Sequence, residues 1–100
     1  MERTREQELM KLIDQLISTK LTEDENYLRF SFYEVRVKGK VEESEENRFL
    51  ELAKTKLNNM GYNVYLENDE FIYNDANMRV QPNELLIAIK ELKGYSKWTY

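Results

Sequence analysis

Helical spacing of apolar residues marks the first predicted element of the chain. Between residues 3 and 19, apolar side chains recur every three or four positions, and polar or charged ones fill the positions between them. The stripe comprises Leu9, Leu12, Ile13, Leu16 and Ile17. It predicts an amphipathic helix that turns one face towards a hydrophobic core.

A second amphipathic helix is predicted between Ser44 and Gly61. A serine followed by Glu45 and Glu46 is typical of a helix N-terminus, because the hydroxyl caps backbone amides and the carboxylates face the positive end of the helix dipole. Glycine is common just after the last helical residue, since it adopts the left-handed conformation without strain. The apolar stripe between these signals is Phe49, Leu50, Ala53, Leu57 and Met60.

The segment from Tyr27 to Val41 has the composition of a β-strand, because it is rich in aromatic and β-branched residues. Its apolar positions alternate, but the alternation changes phase near Phe32 and Tyr33. A strict two-residue period cannot change phase, so one long strand bent by a β-bulge is predicted. Two shorter strands are the alternative, although no turn residues separate them.

Three short strands and a last helix are predicted in the second half of the chain. The strands are residues 63–66, 70–73 and 78–80, and turn-forming residues separate them. Pro82 favours the first turn of a helix over residues 83–93, which Gly94 would end. The apolar positions of this helix are Leu85, Leu86, Ile89 and Leu92.

Together these elements predict an α+β fold in the order α–β–α–β–β–β–α. It forms one domain over residues 1–94, with an aromatic C-terminal tail at residues 95–100. The strand–helix–strand unit predicts two parallel strands, and the later strands add as antiparallel hairpins. We therefore expect a four-stranded mixed sheet with the helices mainly on one face.

Alternation along these strands predicts which side chains occupy the bare face of the sheet. Val37, Ile72 and Met78 are expected to point towards the helices. The residues expected on the bare face are Arg36, Lys38, Tyr65, Phe71, Tyr73 and Arg79. Tyrosine and arginine are enriched at protein-binding hot spots. The same mixture can stack unpaired bases and hold phosphates, or simply stiffen the sheet by cross-strand packing.

Charge is unevenly distributed along this chain of net charge −4. The acidic clusters comprise Glu42, Glu43, Glu45 and Glu46, and then Glu67, Asp69 and Glu70. One interpretation is that they are solvated turns and helix starts. The other is that they bind a basic surface, since complementary charge speeds association and selects the partner.

Catalytic and metal-binding chemistry is poorly represented in this composition. The chain has no cysteine and no histidine, which removes thiolate chemistry, the usual general base and the commonest metal ligand. The oxygen-rich stretches at residues 67–70 and 74–77 lack the alternating pattern and central glycine of a calcium loop. We therefore predict no catalytic residue, no metal site, no cofactor and no enzymatic activity.

The resulting functional hypothesis is a small non-enzymatic, cytoplasmic protein that binds, and regulates or inhibits, another protein. Its concrete form is an acidic accessory protein of a phage or mobile element that blocks a nucleic-acid-handling target. The alternative is a single-stranded nucleic-acid-binding module using the aromatic and basic sheet face, which the net negative charge disfavours. A homodimer is compatible with either. The longest apolar run, Leu85 to Ile89, is too short to span a membrane.

Overall fold

The structure, a computed structural model, describes residues 4–90 of the chain. Eight helices and strands lie within these residues. They are α1 (Arg5–Glu23), β1 (Tyr27–Ser31), a π-helical segment (Tyr33–Lys38), α2 (Glu43–Asn59), β2 (Asn63–Leu66), β3 (Glu70–Tyr73), β4 (Ala76–Arg79) and β5 (Glu84–Ile89). The fold is α+β, as the sequence predicts. It contains two antiparallel sheets rather than one four-stranded mixed sheet.

The larger sheet has β5 at its centre and the strand order β1–β5–β2. Both outer strands pair antiparallel with β5: Leu28 and Val64 both lie opposite Ala88. The outer strands therefore run in the same direction, as expected for a strand–helix–strand unit, but β5 separates them. The smaller sheet is the β3–β4 ribbon, in which Phe71 lies opposite Met78.

The prediction of a last helix over residues 83–93 is wrong, because residues 84–89 form the central strand. A strand buried on both faces has a nearly continuous apolar run, and such a run resembles a short buried helix. Leu86 and Ala88 pack with the core on the helix side, whereas Ile87 and Ile89 pack on the opposite side. Residues 91–93, and the predicted tail at residues 95–100, lie outside the described residues.

The predicted long strand is also wrong, since β1 ends at Ser31. The pairing register of β1 shifts between Phe30 and Ser31, close to the predicted change of phase. A π-helical segment follows, in which the amide of Gly39 donates to the carbonyl of Glu34 and the amide of Val41 donates to that of Val35. These wide turns replace the cross-strand pairing expected there.

Two hydrophobic clusters lie on opposite faces of the larger sheet. The buried residues of α1 and α2, including Ile13 and Phe49, pack against Leu28 and Phe30 of β1 on one face. Phe71 of β3 packs against the other face. The described helices thus cover one face, as expected, but the β3–β4 ribbon covers part of the face that was expected to be bare.

Helix termini and turns are set by local polar contacts. Thr4 caps α1, with its hydroxyl accepting the amide of Gln7. Helix α2 is capped at Glu42 rather than at the predicted Ser44, and the Glu45 carboxylate accepts the Glu42 amide. In the β3–β4 turn, Asn74 and Asp75 have φ of 53° and 65°, as a tight two-residue hairpin turn requires.

Candidate functional site

The six residues predicted for a bare sheet face do not lie on one face. Arg36 and Lys38 belong to the π-helical segment. The other four belong to the strands β2, β3 and β4: Tyr65, Phe71, Tyr73 and Arg79. The structure therefore divides the predicted aromatic and basic surface into two parts on different elements.

The aromatic residues of this set pack against other rings, and Tyr65 and Tyr73 are half-buried. The rings of Tyr65 and Phe71 stack, with centroids 4.8 Å apart and planes 20° apart, and Tyr73 contacts Tyr27 at 4.8 Å. Phe71 is buried and Ile72 is 69% exposed, so the predicted orientation of β3 is reversed. The predicted inward orientation of Met78 is also wrong, since its side chain is exposed. These rings join the ribbon to the sheet.

The carboxylates of the first acidic cluster are partly neutralised by arginines. Glu45 accepts hydrogen bonds from Nε and Nη2 of Arg5 at 2.5 and 2.8 Å. These bonds, with that from the Glu42 amide, lower the pKa of Glu45 to about 2. Glu46 accepts from Arg36 at 2.6 Å. Glu42 and Glu43 are exposed at the start of α2.

Two carboxylates of the second acidic cluster, those of Asp69 and Glu70, also have partners within the chain. Asp69 accepts the Leu66 amide at 2.8 Å, which stabilises the turn between β2 and β3. Glu70 pairs with Arg79 across the ribbon at 2.5 Å. Neither Glu43 nor Glu67 makes an ion pair with another residue between 4 and 90. Their charges are available to a partner.

An exposed apolar surface that the sequence patterns missed lies on and beside the π-helical segment. We call it the π surface, and it consists of Phe32, Tyr33 and Val37, which are 41%, 60% and 53% exposed. The expectation that Val37 points into the core is wrong, whereas Val35 is fully buried. The change of phase at residues 32–33 was the sequence signal for this irregular backbone.

Contacts with α1 hold the π-helical segment in place. The Glu34 carboxylate accepts two hydrogen bonds from Lys20 and one each from the hydroxyl and amide of Ser31. Burial alone would raise the pKa of Glu34, but these hydrogen bonds outweigh it and the pKa lies below its usual value. At the other end, a Cβ on Gly39 would lie 2.6 Å from Leu12 Cδ2.

The side chain of Arg36 connects the π-helical segment to α2. Its guanidinium carbon lies 5.0 Å from the centroid of the Phe32 ring, within the range of a cation–π contact. Its Nη1 donates to Glu46. The π surface is therefore presented by a segment that contacts both α1 and α2.

An acidic groove of about 620 Å³ borders the π surface. Its apolar lining includes Phe32, Leu50 and Leu85. Its charged lining comprises Arg36 and four carboxylates, those of Glu43, Glu46, Glu67 and Glu84. The groove combines exposed apolar area with an excess of negative charge, an arrangement that suits a basic partner.

A second cleft, of about 810 Å³, lies beside β4. Its lining includes Tyr27 and Arg29 of β1 and Asn77 and Arg79 of β4. Glu84 borders it with its side chain almost fully buried, and accepts hydrogen bonds from Arg29 at 3.3 Å and from the Gln81 amide at 2.9 Å. Both Arg29 and Arg79 are largely exposed.

Among residues 4–90, no group of three or more acidic, cysteine or histidine side chains is placed to hold a metal ion. Within the same range, no helix has the length and apolarity that crossing a membrane requires. The chain matches no family model, and no curated protein and no solved structure shows significant similarity to it. The inference of function therefore rests on the surfaces described above.

Proposed function

We propose that this chain is a small non-enzymatic protein-binding regulator or inhibitor that contacts its target through the π surface. The observation that carries the proposal is the exposure of three apolar side chains, Phe32, Tyr33 and Val37, within residues 32–37 of one anchored segment. Single exposed apolar residues are ordinary, whereas adjacent ones commonly belong to a binding site. The π-helical backbone of this segment also supports the proposal, because π-helical turns are frequent at functional sites.

Rigidity of the π-helical segment favours binding by this surface. Val35 is buried, Glu34 bonds to Lys20 and Arg36 bonds to Glu46. A segment that is already ordered loses less conformational entropy on association, so more of the contact energy contributes to affinity. The aromatic and arginine composition also resembles that of interface hot spots.

The acidic groove beside the π surface indicates the charge of the target. Glu43 and Glu67 line this groove without an ion pair to other residues between 4 and 90. A target with basic groups next to an apolar contact would be complementary to this arrangement. We propose as its concrete form a nucleic-acid-handling protein whose basic channel the chain blocks, as an acidic accessory protein of a phage or mobile element would.

Loss of the π surface should abolish capture of the target. We would replace Phe32, Tyr33 and Val37 together by serine and compare the proteins that cross-link to this variant and to the wild type in the native cell. The matched control is Ile72→Ser, which removes an even more exposed apolar side chain from the β3–β4 ribbon. The proposal requires a target that the control retains and the triple variant loses. Equal capture by all three proteins would refute it.

The charge of the target is tested separately by reversal. Glu43→Lys with Glu67→Lys should weaken binding of the captured target and reduce its dependence on salt. Glu23→Lys is the matched control, since this exposed carboxylate ends α1 and does not line the groove. If affinity and salt dependence are unchanged, the target is not recognised through its basic groups.

A further inference from the structure

We propose that the outer edge of β4 binds an extended, acidic peptide segment, which adds as a third strand to the β3–β4 ribbon. The site does not depend on the π surface. In the described part of the chain, β4 pairs with β3 on one side only. All four of its residues, Ala76 to Arg79, are exposed.

The register of the ribbon determines which backbone groups face this edge. The Val80 amide donates to the Asp69 carbonyl at 3.0 Å, and Phe71 lies opposite Met78. Because hydrogen-bonded and non-hydrogen-bonded pairs alternate in an antiparallel ladder, the amides of Asn77 and Arg79 and the carbonyl of Asn77 point away from β3. The Arg79 carbonyl accepts Nε2 of Gln81. Three consecutive outward groups remain for a strand partner.

Some outward amides of the outer strands of the larger sheet are satisfied within the chain. The Tyr27 amide donates to the Asp24 carbonyl and the Ser31 amide donates to the Glu34 carboxylate. The Leu66 amide donates to the Asp69 carboxylate. In β4, no proline, lysine or bulge interrupts the strand, and its one charged side chain, Arg79, pairs with Glu70. The ribbon has two strands, and a third would stabilise it.

The cleft beside β4 indicates the chemistry of the occupant. Its volume of about 810 Å³ lies along Asn77, Met78 and Arg79 and reaches Arg29 of β1. The Arg29 and Arg79 side chains are 59% and 57% exposed. Each makes one hydrogen bond to a carboxylate of the same lining, Arg29 to Glu84 and Arg79 to Glu70, and keeps further N–H donors. A guanidinium has five donors, so each can also bind an acidic side chain of the peptide. A second copy of β4 would bury only a four-residue strand, far less than a stable dimer requires.

The test is selection of a displayed library of random heptapeptides on the full-length chain, followed by synthesis of the enriched sequences. We expect sequences with Asp or Glu, binding in a one-to-one complex. Asn77→Pro removes one of the two outward amides and should lower affinity about tenfold or more. Ile72→Pro is the matched control, because its amide faces the opposite edge of the same ribbon, and it should retain binding.

N-methylation of the synthetic peptide provides a second readout on the unaltered protein. Methyl groups on alternate backbone nitrogens should abolish binding in one phase and leave it intact in the other, because only one set of amides faces β4. Enrichment that fails to exceed that on Asn77→Pro, equal effects of the two proline variants, or equal effects of both methylation phases would each overturn the proposal. Enrichment of basic sequences would also overturn the proposal. The same holds if β4 binds a second copy of this chain.

Discussion

The Glu34 carboxylate in the π-helical segment accepts two hydrogen bonds from the Lys20 ammonium in α1, at 2.9 and 2.8 Å. The Lys20 side chain is only 11% exposed, so the pair is better shielded than an ordinary surface ion pair. Lys20 also lies 5.9 Å from the centroid of the Phe30 ring. This pair connects the first helix to the segment that carries the π surface.

Glu34→Gln should destabilise the protein by about 1–2 kcal/mol, since it leaves a partly buried ammonium without its counter-ion. Urea unfolding would measure the change. Asp14→Asn is the matched control, because Asp14 and Lys56 form a more exposed pair between α1 and α2, expected to contribute about 0.5 kcal/mol or less. Equal effects of the two substitutions would show that the Glu34 pair has no special role.

Gly39→Ala should destabilise the end of the π-helical segment through overpacking. The added Cβ would lie 2.6 Å from Leu12 Cδ2 and 2.8 Å from the Val35 carbonyl oxygen. Overpacking of this kind costs about 1–3 kcal/mol, and thermal or urea unfolding would detect it. Adding Leu12→Ala removes the side-chain contact but not the backbone one. It should therefore leave Gly39→Ala destabilising in that background, but by less than in the wild type. Equal stability of Gly39→Ala and the wild type would contradict the packing argument.

The elements predicted best are those in which local signals and tertiary packing agree. The stripes of α1 and α2 bury Ile13 and Phe49 as their spacing requires. The turn residues Asn74 and Asp75 separate β3 and β4 as expected, although β4 begins at Ala76 and ends at Arg79 and not at the predicted residues 78 and 80. In these elements one apolar face meets one core, so periodicity alone identifies the element type.

The two elements predicted wrongly depend on partners distant in sequence. Strand β5 is apolar on both faces because it lies between β1 and β2, and its five-residue apolar run has no period that distinguishes a strand from a helix. The π-helical segment has the alternation of a strand, but Lys20 and Leu12 of α1 hold it in another conformation. Because the π surface lies there, the candidate site could not be predicted either.

The pairing of Glu45 with Arg5 predicts a loss of stability in acid. The pKa of Glu45 is lowered from 4.5 to about 2, first by the hydrogen bonds from Arg5. A lowered carboxyl pKa contributes stability above the unfolded-state value, and this contribution is lost as pH falls through the folded-state value. Between pH 4.5 and about 2, Glu45→Gln should therefore lose less stability than the wild type.

Urea midpoints measured across this pH range would test the role of Glu45. Glu43→Gln is a suitable control, since it removes a carboxylate of the same cluster that is exposed and makes no ion pair with residues 4–90. Parallel curves for the wild type and Glu45→Gln would indicate that the Arg5 pair does not form in solution.

Substitutions on the two faces of β5 should affect different parts of the molecule. Leu86 packs with the helices and Ile87 packs with the ribbon, so replacing either by alanine should cost about 2–5 kcal/mol. Ile87→Ala should also accelerate amide exchange in the ribbon, at Phe71 and Met78, by letting it open separately. Leu86→Ala should instead accelerate amide exchange in the ribbon and in β1 alike, mainly through global unfolding. The same ratio of ribbon to β1 exchange rates in both variants would mean that the ribbon and the sheet unfold together.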